Sequence, residues 1–378
     1  MGVRLGLVST YPPTACGIAT FSAALTRHLF RQGAHVDVLR LVDRREPQVL
    51  PVVGQWVRDH GTAQDAALTL SDVDTVLLQH EYGIFGGADG EDVLDLVHEL
   101  KPPVVTVLHT VLARPTPGQH AVMAGLLDRS AAVITMTATG RDRLVSGWDA
   151  DPARVVVIPH GAEDHRGQLT AVATHRRSRP TVLTWGLLSE GKGIEWALLA
   201  LAELARRGPV PQYRIVGRTH PRVLERDGDR YRDRLVALVD ELGLGEHVRF
   251  VDRYLTQDEL RREVDSADVV LLPYDSVEQV TSGVLSEAVA AGKPVVSTSF
   301  PHAVELLSGG AGIVVPHSDP DAIAAALLTL LDGTGTSLRM AQEARRIAPS
   351  LLWPRIADRY IALARSVTGL PTASSSAR

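Results

Sequence analysis

The alternation of short apolar runs with amphipathic stretches constrains the fold of this chain more than any other feature of its sequence. In the first half, the apolar runs cover residues 4–9, 35–41, 75–79, 104–108, 132–136 and 155–158. They are rich in Val, Ile and Leu and have no polar alternation, which is typical of parallel strands covered on both faces. The stretches between them have helical spacing, as over residues 18–31 and 91–100. Repeated strand–helix–strand units predict a doubly wound parallel sheet, because their crossovers are right-handed.

The pattern starts again after Arg176 and predicts a second sheet. Its apolar runs cover residues 181–185, 213–216, 248–251, 269–272, 295–297 and 312–315. Its helical stretches include residues 194–207, 230–242 and 322–331. Residues 163–180 are polar and have no apolar stripe, which indicates a linker between two domains. An amphipathic stretch over residues 351–367 predicts a terminal helix, and residues 372–378 predict a disordered tail.

Composition excludes several classes of function. The chain has 39 Lys and Arg residues against 44 Asp and Glu residues, a net charge of −5. This balance argues against a broadly basic nucleic-acid binder, because such binding needs clustered cations. The single cysteine, Cys16, excludes an intrachain disulfide and fits a reducing compartment. No apolar run approaches the length of a membrane span, and the N-terminus lacks the layout of a signal peptide. We therefore expect a cytoplasmic globular protein.

The loop over residues 186–193 has the composition of an anion-binding loop. It begins at Gly186 after a predicted strand, and it ends with Gly191, Lys192 and Gly193 before a predicted helix. Main-chain N–H groups and the positive end of a helix dipole suit an anion there, and Lys192 adds a full charge. The spacing matches that of a P-loop, except that Gly193 replaces the Ser or Thr that would bind Mg²⁺. The alternative is a glycine-rich connection with a solvated lysine.

A second loop of this kind follows the predicted strand over residues 269–272. Thr281, Ser282 and Gly283 are small and precede a helical stretch over residues 284–291, so their N–H groups also suit a phosphate. Glu287 lies one turn into that helix and shares the face toward the loop. Its carboxylate suits a ribose diol, which offers two donors. The alternative is a capped helix with an exposed glutamate.

Polar residues end several predicted strands of the first half. His80 and Glu81 follow one strand, His109 follows the next, and His160 follows the last. The carboxyl ends of parallel strands form the ligand-binding edge of such sheets, so we expect these residues to line a cleft. No spacing of His or Cys residues is typical of a zinc site, and we expect no metal.

The first loop and the early arginines carry weaker signals. Residues 9–20 form a loop that is too long for a dinucleotide fingerprint, which argues against an NAD-dependent enzyme. Gly17 would let the main chain approach a ligand, whereas Cys16 is expected to be a small buried side chain. The early arginines are Arg27, Arg31, Arg40, Arg44 and Arg45. They allow a peripheral membrane contact, but a solvated face is the interpretation that the sequence favours.

These motifs occur in an order that resembles the family 4 retaining glycosyltransferases over roughly residues 3–367. The segments that carry the resemblance are residues 16–19, 109, 159–162, 186–193, 213–217 and 286–296. The family has the α/β fold called GT-B, in which two tandem Rossmann-like doubly wound domains face an interdomain cleft. The resemblance implies an acceptor domain over residues 1–165 and a nucleotide-sugar donor domain over residues 180–348. A terminal helix over residues 351–367 would cross back to the first domain, and residues 370–378 would be a disordered tail.

The resemblance also implies roles for the candidate residues. His109 matches the histidine that contacts the transferred sugar, and Gly17 lies in the glycine loop beneath the donor diphosphate. Gly186 and Lys192 match the phosphate loop. Two departures stand out, because Gln279 replaces an acid that contacts the donor sugar and Leu187 replaces a phosphate-binding arginine. Arg218 is a candidate to replace that arginine. Residues 78–86, 279–283 and 300–305 look like a bacterial subgroup often labelled mannosyl- or glucosyltransferases, in which the glutamine is usual.

The expected activity is transfer of a hexose from a nucleotide diphosphate sugar to a hydroxyl acceptor with retention of configuration. GDP-mannose is the first candidate donor and UDP-glucose the second, as co-substrates of an enzyme without a metal or other cofactor. The acceptor is a glycan, a lipid-linked sugar or a small metabolite, and no nucleic acid is involved. The alternatives are a non-catalytic protein that binds a sugar nucleotide, a P-loop-like ATP-dependent enzyme, and a sugar-nucleotide epimerase.

Overall fold

The structure is a computed structural model that describes residues 2–58, 62–165, 179–208 and 210–370. Most of the predicted linker, residues 166–178, and the predicted tail from residue 371 onward lie outside the described residues. The chain divides into two compact units. The first consists of Met1–His160 together with Trp353–Arg378, and the second consists of Gly161–Leu352.

The first unit contains a seven-stranded parallel sheet with the order β3-β2-β1-β4-β5-β6-β7. Its strands are β1 (Arg4–Ser9), β2 (His35–Val42), β3 (Val52–Val57), β4 (Thr75–His80), β5 (Val104–Leu108), β6 (Ala132–Thr135) and β7 (Val155–Val157). Its helices before the second unit are α1 (Gly17–Arg31), α2 (Ala63–Leu68), α3 (Asp92–Glu99), α4 (Pro117–Arg129) and α5 (Ala138–Gly147). The strand order reverses between β1 and β4, and ligands bind at such switch points in doubly wound sheets.

The second unit repeats this topology in a six-stranded parallel sheet with the order β10-β9-β8-β11-β12-β13. Its strands are β8 (Thr181–Trp185), β9 (Gln212–Val216), β10 (Val248–Val251), β11 (Val269–Leu272), β12 (Val295–Thr298) and β13 (Gly312–Val315). Its helices are α6 (Ile194–Arg207), α7 (Pro221–Asp227), α8 (Arg230–Glu241), α9 (Gln257–Ser266), α10 (Gly283–Ala290), α11 (Pro301–Leu307), α12 (Pro320–Leu331) and α13 (Thr336–Ile347). The switch point lies between β8 and β11.

Helices cover both faces of the second sheet, as the uninterrupted apolar strands predict. Successive strand residues alternate between two buried clusters, so that Val182 packs with α6, α8 and α12 while Leu183 packs with α9, α10, α11 and α13. The terminal helix α14 (Trp353–Thr368) belongs to the first unit instead. Its Trp353 ring lies 5.2 Å from the ring of Phe21 on α1, and both residues belong to the core of that unit.

The edge strand β3 is the strand that the sequence pattern does not indicate. Its run is interrupted by Gly54, and Val53 is exposed, because an edge strand is covered on fewer sides. Its register against β2 also shifts between Val38 and Leu39. A strand of this kind has neither the continuous apolar run of a central strand nor a clean alternation.

Two expectations about single side chains are corrected by the structure. Cys16 is a half-buried helix cap and not a small core residue, because its Sγ accepts a hydrogen bond from Ala19 N at 3.3 Å. Arg40 does not belong to a solvated basic face, since it is only 2% exposed. Its Nη2 lies 3.0 Å from Thr14 Oγ1 and 2.8 Å from Glu46 Oε2, so it anchors two loops. In the part of the chain that the structure describes, no helix has the length and apolarity needed to cross a membrane.

Candidate functional site

Polar side chains meet at the carboxyl ends of β4 and β5 in the first unit. His109 follows β5, and its Nε2 lies 2.8 Å from the Oε1 of Gln79 near the end of β4. The main-chain N–H of His109 donates to the carbonyl oxygen of His80 at 3.1 Å. Thr110, the next residue, donates its hydroxyl to Glu81. The structure thus brings the predicted residues His109 and Glu81 to one edge of the sheet, where His80 contributes its main-chain carbonyl.

The environment of His109 keeps its imidazole neutral. The ring packs edge-on against Phe21 at 5.0 Å, and the ring of His160 packs on the same Phe21 at 4.9 Å. Burial, with smaller contributions from His160 and His80, lowers the pKa of His109 to about 3. A neutral ring that donates Nε2–H to the Gln79 oxygen retains Nδ1 as an acceptor. His109 can therefore accept a hydrogen bond from a ligand hydroxyl.

His80 does not line the edge as the sequence predicts. Its side chain is fully buried, with ring centroids 4.9 Å from Tyr82 and 6.1 Å from Phe85. Neither ring nitrogen has a hydrogen-bond partner among the described residues, and burial lowers the pKa of His80 to about 3. His80 is thus a neutral core residue, because the strand turns its side chain away from the surface at that position.

Acid should destabilise the first unit through its buried histidines. His28 stacks on Trp353, and burial together with Arg27 and Arg31 lowers its pKa to about 4, alongside the pKa of about 3 for His80 and His109. Above the unfolded-state pKa of about 6.5, these rings are neutral in both states, so their contribution is fully present. As pH falls toward the folded-state values, the unfolded state gains protons first. Stability should therefore fall by up to about 1.4 kcal/mol per pH unit for each histidine.

Urea unfolding followed by far-UV circular dichroism between about pH 7 and about pH 4 measures this dependence. His28→Leu should reduce the dependence of the unfolding free energy on pH, whereas His98→Leu, at an exposed position of α3, should leave that dependence unchanged. A slope that is the same in wild type and in His28→Leu would contradict the assignment of His28.

In the second unit, two glycine-containing turns lie side by side after β8 and β9. Gly186 N donates to Val216 O, and Leu188 N donates to Arg218 O, both at 2.9 Å. Gly217 has φ +140, and a Cβ there would lie 1.8 Å from Gly186 O. This close approach requires glycine, and it brings the predicted residues Gly186 and Arg218 together.

Gly193 is the N-cap of α6, and its surroundings leave no room for a side chain. Its φ is +61, and a Cβ there would lie 1.8 Å from the carbonyl oxygen of Pro273. A Ser or Thr at this position would collide with the main chain that follows β11. The loop therefore lacks the geometry of a P-loop hydroxyl, which removes the basis for the ATP-dependent alternative.

Lys192 and Arg218 are two cations at this edge of the second sheet. Lys192 Nζ lies 4.2 Å from the centroid of the Tyr274 ring, which follows β11 and is buried. Asp275 N donates to Gly191 O at 3.0 Å, and this hydrogen bond joins the loop after β11 to the glycine loop after β8. Within the residues that the structure describes, neither cation forms an ion pair with a carboxylate. Their charge is therefore available to an anionic ligand.

The N-terminus of α10 supplies main-chain donors, although not all of those predicted. Ser282 caps the helix, since its Oγ accepts from Leu285 N at 3.2 Å. The N–H of Ser282 donates to His302 Nδ1 at 2.8 Å, so this predicted phosphate donor is already occupied. The N–H groups of Gly283 and Val284 have no partner among the described residues. His302 was not identified from the sequence, because a histidine on the next helix carries no local signal.

Gln279 and Thr281 lie in the loop that leads to this helix. Gln279 Nε2 donates to Thr281 O at 2.9 Å, which holds the side-chain amide within its own loop. The amide oxygen remains an acceptor for a hydroxyl. Thr281 Oγ1 is buried and has no hydrogen-bond partner among the described residues.

Glu287 faces residues that the sequence places in the linker. Its carboxylate oxygens accept from Glu163 N at 3.3 and 3.2 Å, and its Oε2 lies 3.8 Å from His165 Nε2. The side chain of Glu287 remains 21% exposed, so part of its acceptor capacity is open. Glu163 and His165 were not recognised as neighbours of Glu287, because the polar stretch around them resembles an exposed linker.

Comparisons with known proteins agree with this architecture. The family model described as "Glycosyltransferase Family 4" matches residues 15–166 of this chain. The family model described as "Glycosyl transferases group 1" matches residues 179–333. The D-inositol 3-phosphate glycosyltransferase of Corynebacterium glutamicum is 30% identical over 388 residues, which cover 92% of this chain and 91% of that protein. The enzyme of the same name from Corynebacterium efficiens is 30% identical over 271 residues. That match covers 67% of this chain and 62% of the relative, so it spans less than two thirds of that protein.

Among solved structures, the sucrose-phosphate synthase of Thermosynechococcus elongatus aligns with a TM-score of 0.76 and 20% identity. The alignment covers 97% of this chain and 99% of that one. Two doubly wound parallel sheets in one chain, which match those of GT-B neighbours, define a GT-B protein. The chain belongs to the glycosyltransferases of family 4, also called group 1.

Proposed function

We propose that this chain transfers a hexose from a nucleotide diphosphate sugar to a hydroxyl acceptor. The observation that carries the proposal is a set of donors at the switch point of the second unit that have no partner among the described residues. Lys192, Arg218 and the first N–H groups of α10 all lie on loops joined by hydrogen bonds. Such a set suits a diphosphate, because helix N-termini and unpaired cations stabilise negative charge. Glu287, with part of its carboxylate open, would accept the ribose hydroxyls.

The donors of the second unit would act on the leaving group. As the bond to the sugar breaks, negative charge develops on the departing diphosphate, and fixed donors stabilise this charge more in the transition state than in the ground state. We propose that configuration is retained and that a phosphate oxygen of the donor takes the acceptor proton. With the cations of the loops in this role, the mechanism requires no metal or other cofactor.

The polar edge of the first unit would serve the sugar and the acceptor. The neutral ring of His109 presents Nδ1 as an acceptor for a sugar hydroxyl, and Gln79 fixes the orientation of that ring. Glu81, which accepts from Thr110, and His160 are proposed to contact the acceptor. The relatives named D-inositol 3-phosphate glycosyltransferase make a phosphorylated inositol the first small acceptor to test.

Nucleotide binding tests the proposal before any acceptor is known. Calorimetry with GDP, UDP, ADP and ATP, each with and without Mg²⁺, should show binding of GDP or UDP in the absence of metal. At 100 times its dissociation constant, the ligand should also raise the free energy of unfolding by about 2.7 kcal/mol. Binding of ATP alone, and only with Mg²⁺, would contradict the proposal.

Transfer itself is tested with GDP-mannose and UDP-glucose against D-inositol 3-phosphate, free inositol and simple glycosides. The expected result is release of the nucleotide diphosphate that depends on the acceptor, with a product whose anomeric configuration, read by NMR, matches that of the donor. Conversion of the donor without an acceptor would indicate an epimerase. Tight binding with no turnover against this panel would favour a binding protein.

A further inference from the structure

A buried histidine joins two carboxylates from different helices of the second unit. His165 Nδ1 lies 2.8 Å from Asp265 Oδ1 on α9, and its Nε2 lies 3.8 Å from Glu287 Oε2 on α10. The His165 side chain is only 4% exposed. The proposed transfer mechanism gives this imidazole no step, yet it faces the glutamate that is proposed to bind the ribose.

The charged groups around this imidazole come from its own segment, from α9, from α10 and from the turn after α10. They are Glu163, Asp164, Arg261, Asp265, Glu287 and Lys293. Arg261 Nε lies 3.9 Å from Asp265 Oδ2, and Lys293 Nζ donates to the main-chain oxygen of Asp265 at 2.8 Å. Among the described residues, His165 is the cationic side chain within 4.0 Å of the Glu287 carboxylate. The charge of Glu287 is therefore balanced locally by His165 when its ring is protonated.

We propose that His165 is a positioning residue that, as an imidazolium, holds the Glu287 carboxylate in the orientation that accepts the ribose hydroxyls of a nucleoside diphosphate. This inference rests on the proposed function, because it presupposes that the second unit binds such a nucleotide. The main-chain N–H of Glu163 holds the same carboxylate through both oxygens, at 3.3 and 3.2 Å. Together the two contacts fix the rotation of the carboxylate.

The protonation state of the ring decides whether it attracts or repels Glu287. A neutral imidazole that donates Nδ1–H to Asp265 turns a lone pair of Nε2 toward the Glu287 carboxylate. An imidazolium has a second N–H and offers one donor to each carboxylate. Burial lowers the pKa of His165, but the hydrogen bonds and charges of Glu287 and Asp265 outweigh burial and raise it above the ordinary value. The charged form is therefore favoured at low pH and is lost as pH rises through this raised pKa.

The test compares ribose with 2′-deoxyribose nucleotides on the full chain. Calorimetry gives the dissociation constants of GDP and 2′-deoxy-GDP, or of UDP and 2′-deoxy-UDP if UDP binds more tightly, from about pH 6 to about pH 9. Their ratio cancels the titration of the diphosphate, which both ligands share. In wild type the preference for ribose should be about tenfold or more at the lowest pH, because a hydroxyl bonded to a charged group contributes that much. It should decline as pH rises.

His165→Gln should reduce this preference to about threefold or less and make it independent of pH. His98→Gln, at an exposed position of α3, is the matched control and should behave as wild type. A preference for ribose that is the same in His165→Gln and wild type at every pH would overturn the role of His165. If His165→Gln does not fold, the pH series of wild type decides, because a flat ratio also overturns the proposal. Failure of both GDP and UDP to bind would contradict the proposed function instead.

Discussion

Lys192→Met should lower kcat by about two to three orders of magnitude while the chain remains folded. The ammonium of Lys192 has no carboxylate partner among the described residues and is supported by the face of Tyr274 at 4.2 Å. In the proposed reaction, negative charge grows on the leaving diphosphate as the sugar departs. Removal of one fixed donor to such a charge typically costs about 2.7–4 kcal/mol of activation free energy. Steady-state kinetics with the preferred donor measures the effect.

Lys101→Met is the matched control for this variant, because Lys101 is exposed in the first unit and far from the second unit in sequence. Its kcat and KM should equal those of wild type. If Lys192→Met raises KM for the donor but leaves kcat unchanged, Lys192 binds ground state and transition state equally. That result would contradict the assignment of Lys192 to the leaving group, although it would leave the diphosphate site in place.

Gly193→Ser should destabilise the second unit by about 3 kcal/mol or more. The added Cβ would lie 1.8 Å from the carbonyl oxygen of Pro273, and the residue would have to keep φ +61. The main chain of Gly193 and that of Pro273 form the two sides of this contact. The clash can therefore be relieved only if the loops after β8 and β11 move apart. Urea unfolding of the full chain, followed by the fluorescence of its tryptophans, measures the loss.

The matched control is Gly147→Ala at the end of α5, where a Cβ meets nothing within 4 Å. Its effect should stay within about 1 kcal/mol, because alanine is at least as good a helix former as glycine. Gly193→Ser also tests the P-loop alternative directly. A stable Gly193→Ser variant that gains Mg²⁺-dependent ATP turnover would contradict the expected clash with Pro273.

The fold was predictable because the central strands are buried on both faces. The interior strands β1, β5, β8 and β11 have the predicted bounds, and all but the first residue of β1 are buried. The edge strands β10 and β13 also have the predicted bounds, although they are partly exposed. The edge strand β3 was missed because Gly54 and Gln55 interrupt its apolar run. The apolar pattern therefore identifies a strand where its run is unbroken, and it misses a strand whose run is interrupted.

The candidate site was predictable only where a local motif carries it. The glycine loop lies between β8 and α6, and the loop before α10 lies between β11 and α10. The sequence pattern predicts a strand before each of these loops and a helix after it. Glu163, His165 and His302 gain their contacts from chain segments that are distant in sequence, so no local pattern marks them. For the same reason, the sequence did not indicate that the N–H of Ser282, predicted to be free for a phosphate, donates to His302. The roles assigned to the site residues remain predictions for the kinetic and binding experiments.

The return of α14 to the first unit has a consequence for how the chain is made. The second unit is a continuous segment that ends at Leu352, and its two ends are bridged by the hydrogen bond from Ala162 N to Leu351 O at 2.8 Å. During synthesis this segment is complete before Trp353, Ile356 and Tyr360 have been added, although these residues belong to the core of the first unit. Because nascent domains fold as units, the unit that begins first along the chain is completed last. Until then the part of the α1 surface around Phe21 that Trp353 covers stays exposed, so the first unit cannot close its core before the second unit has left the ribosome.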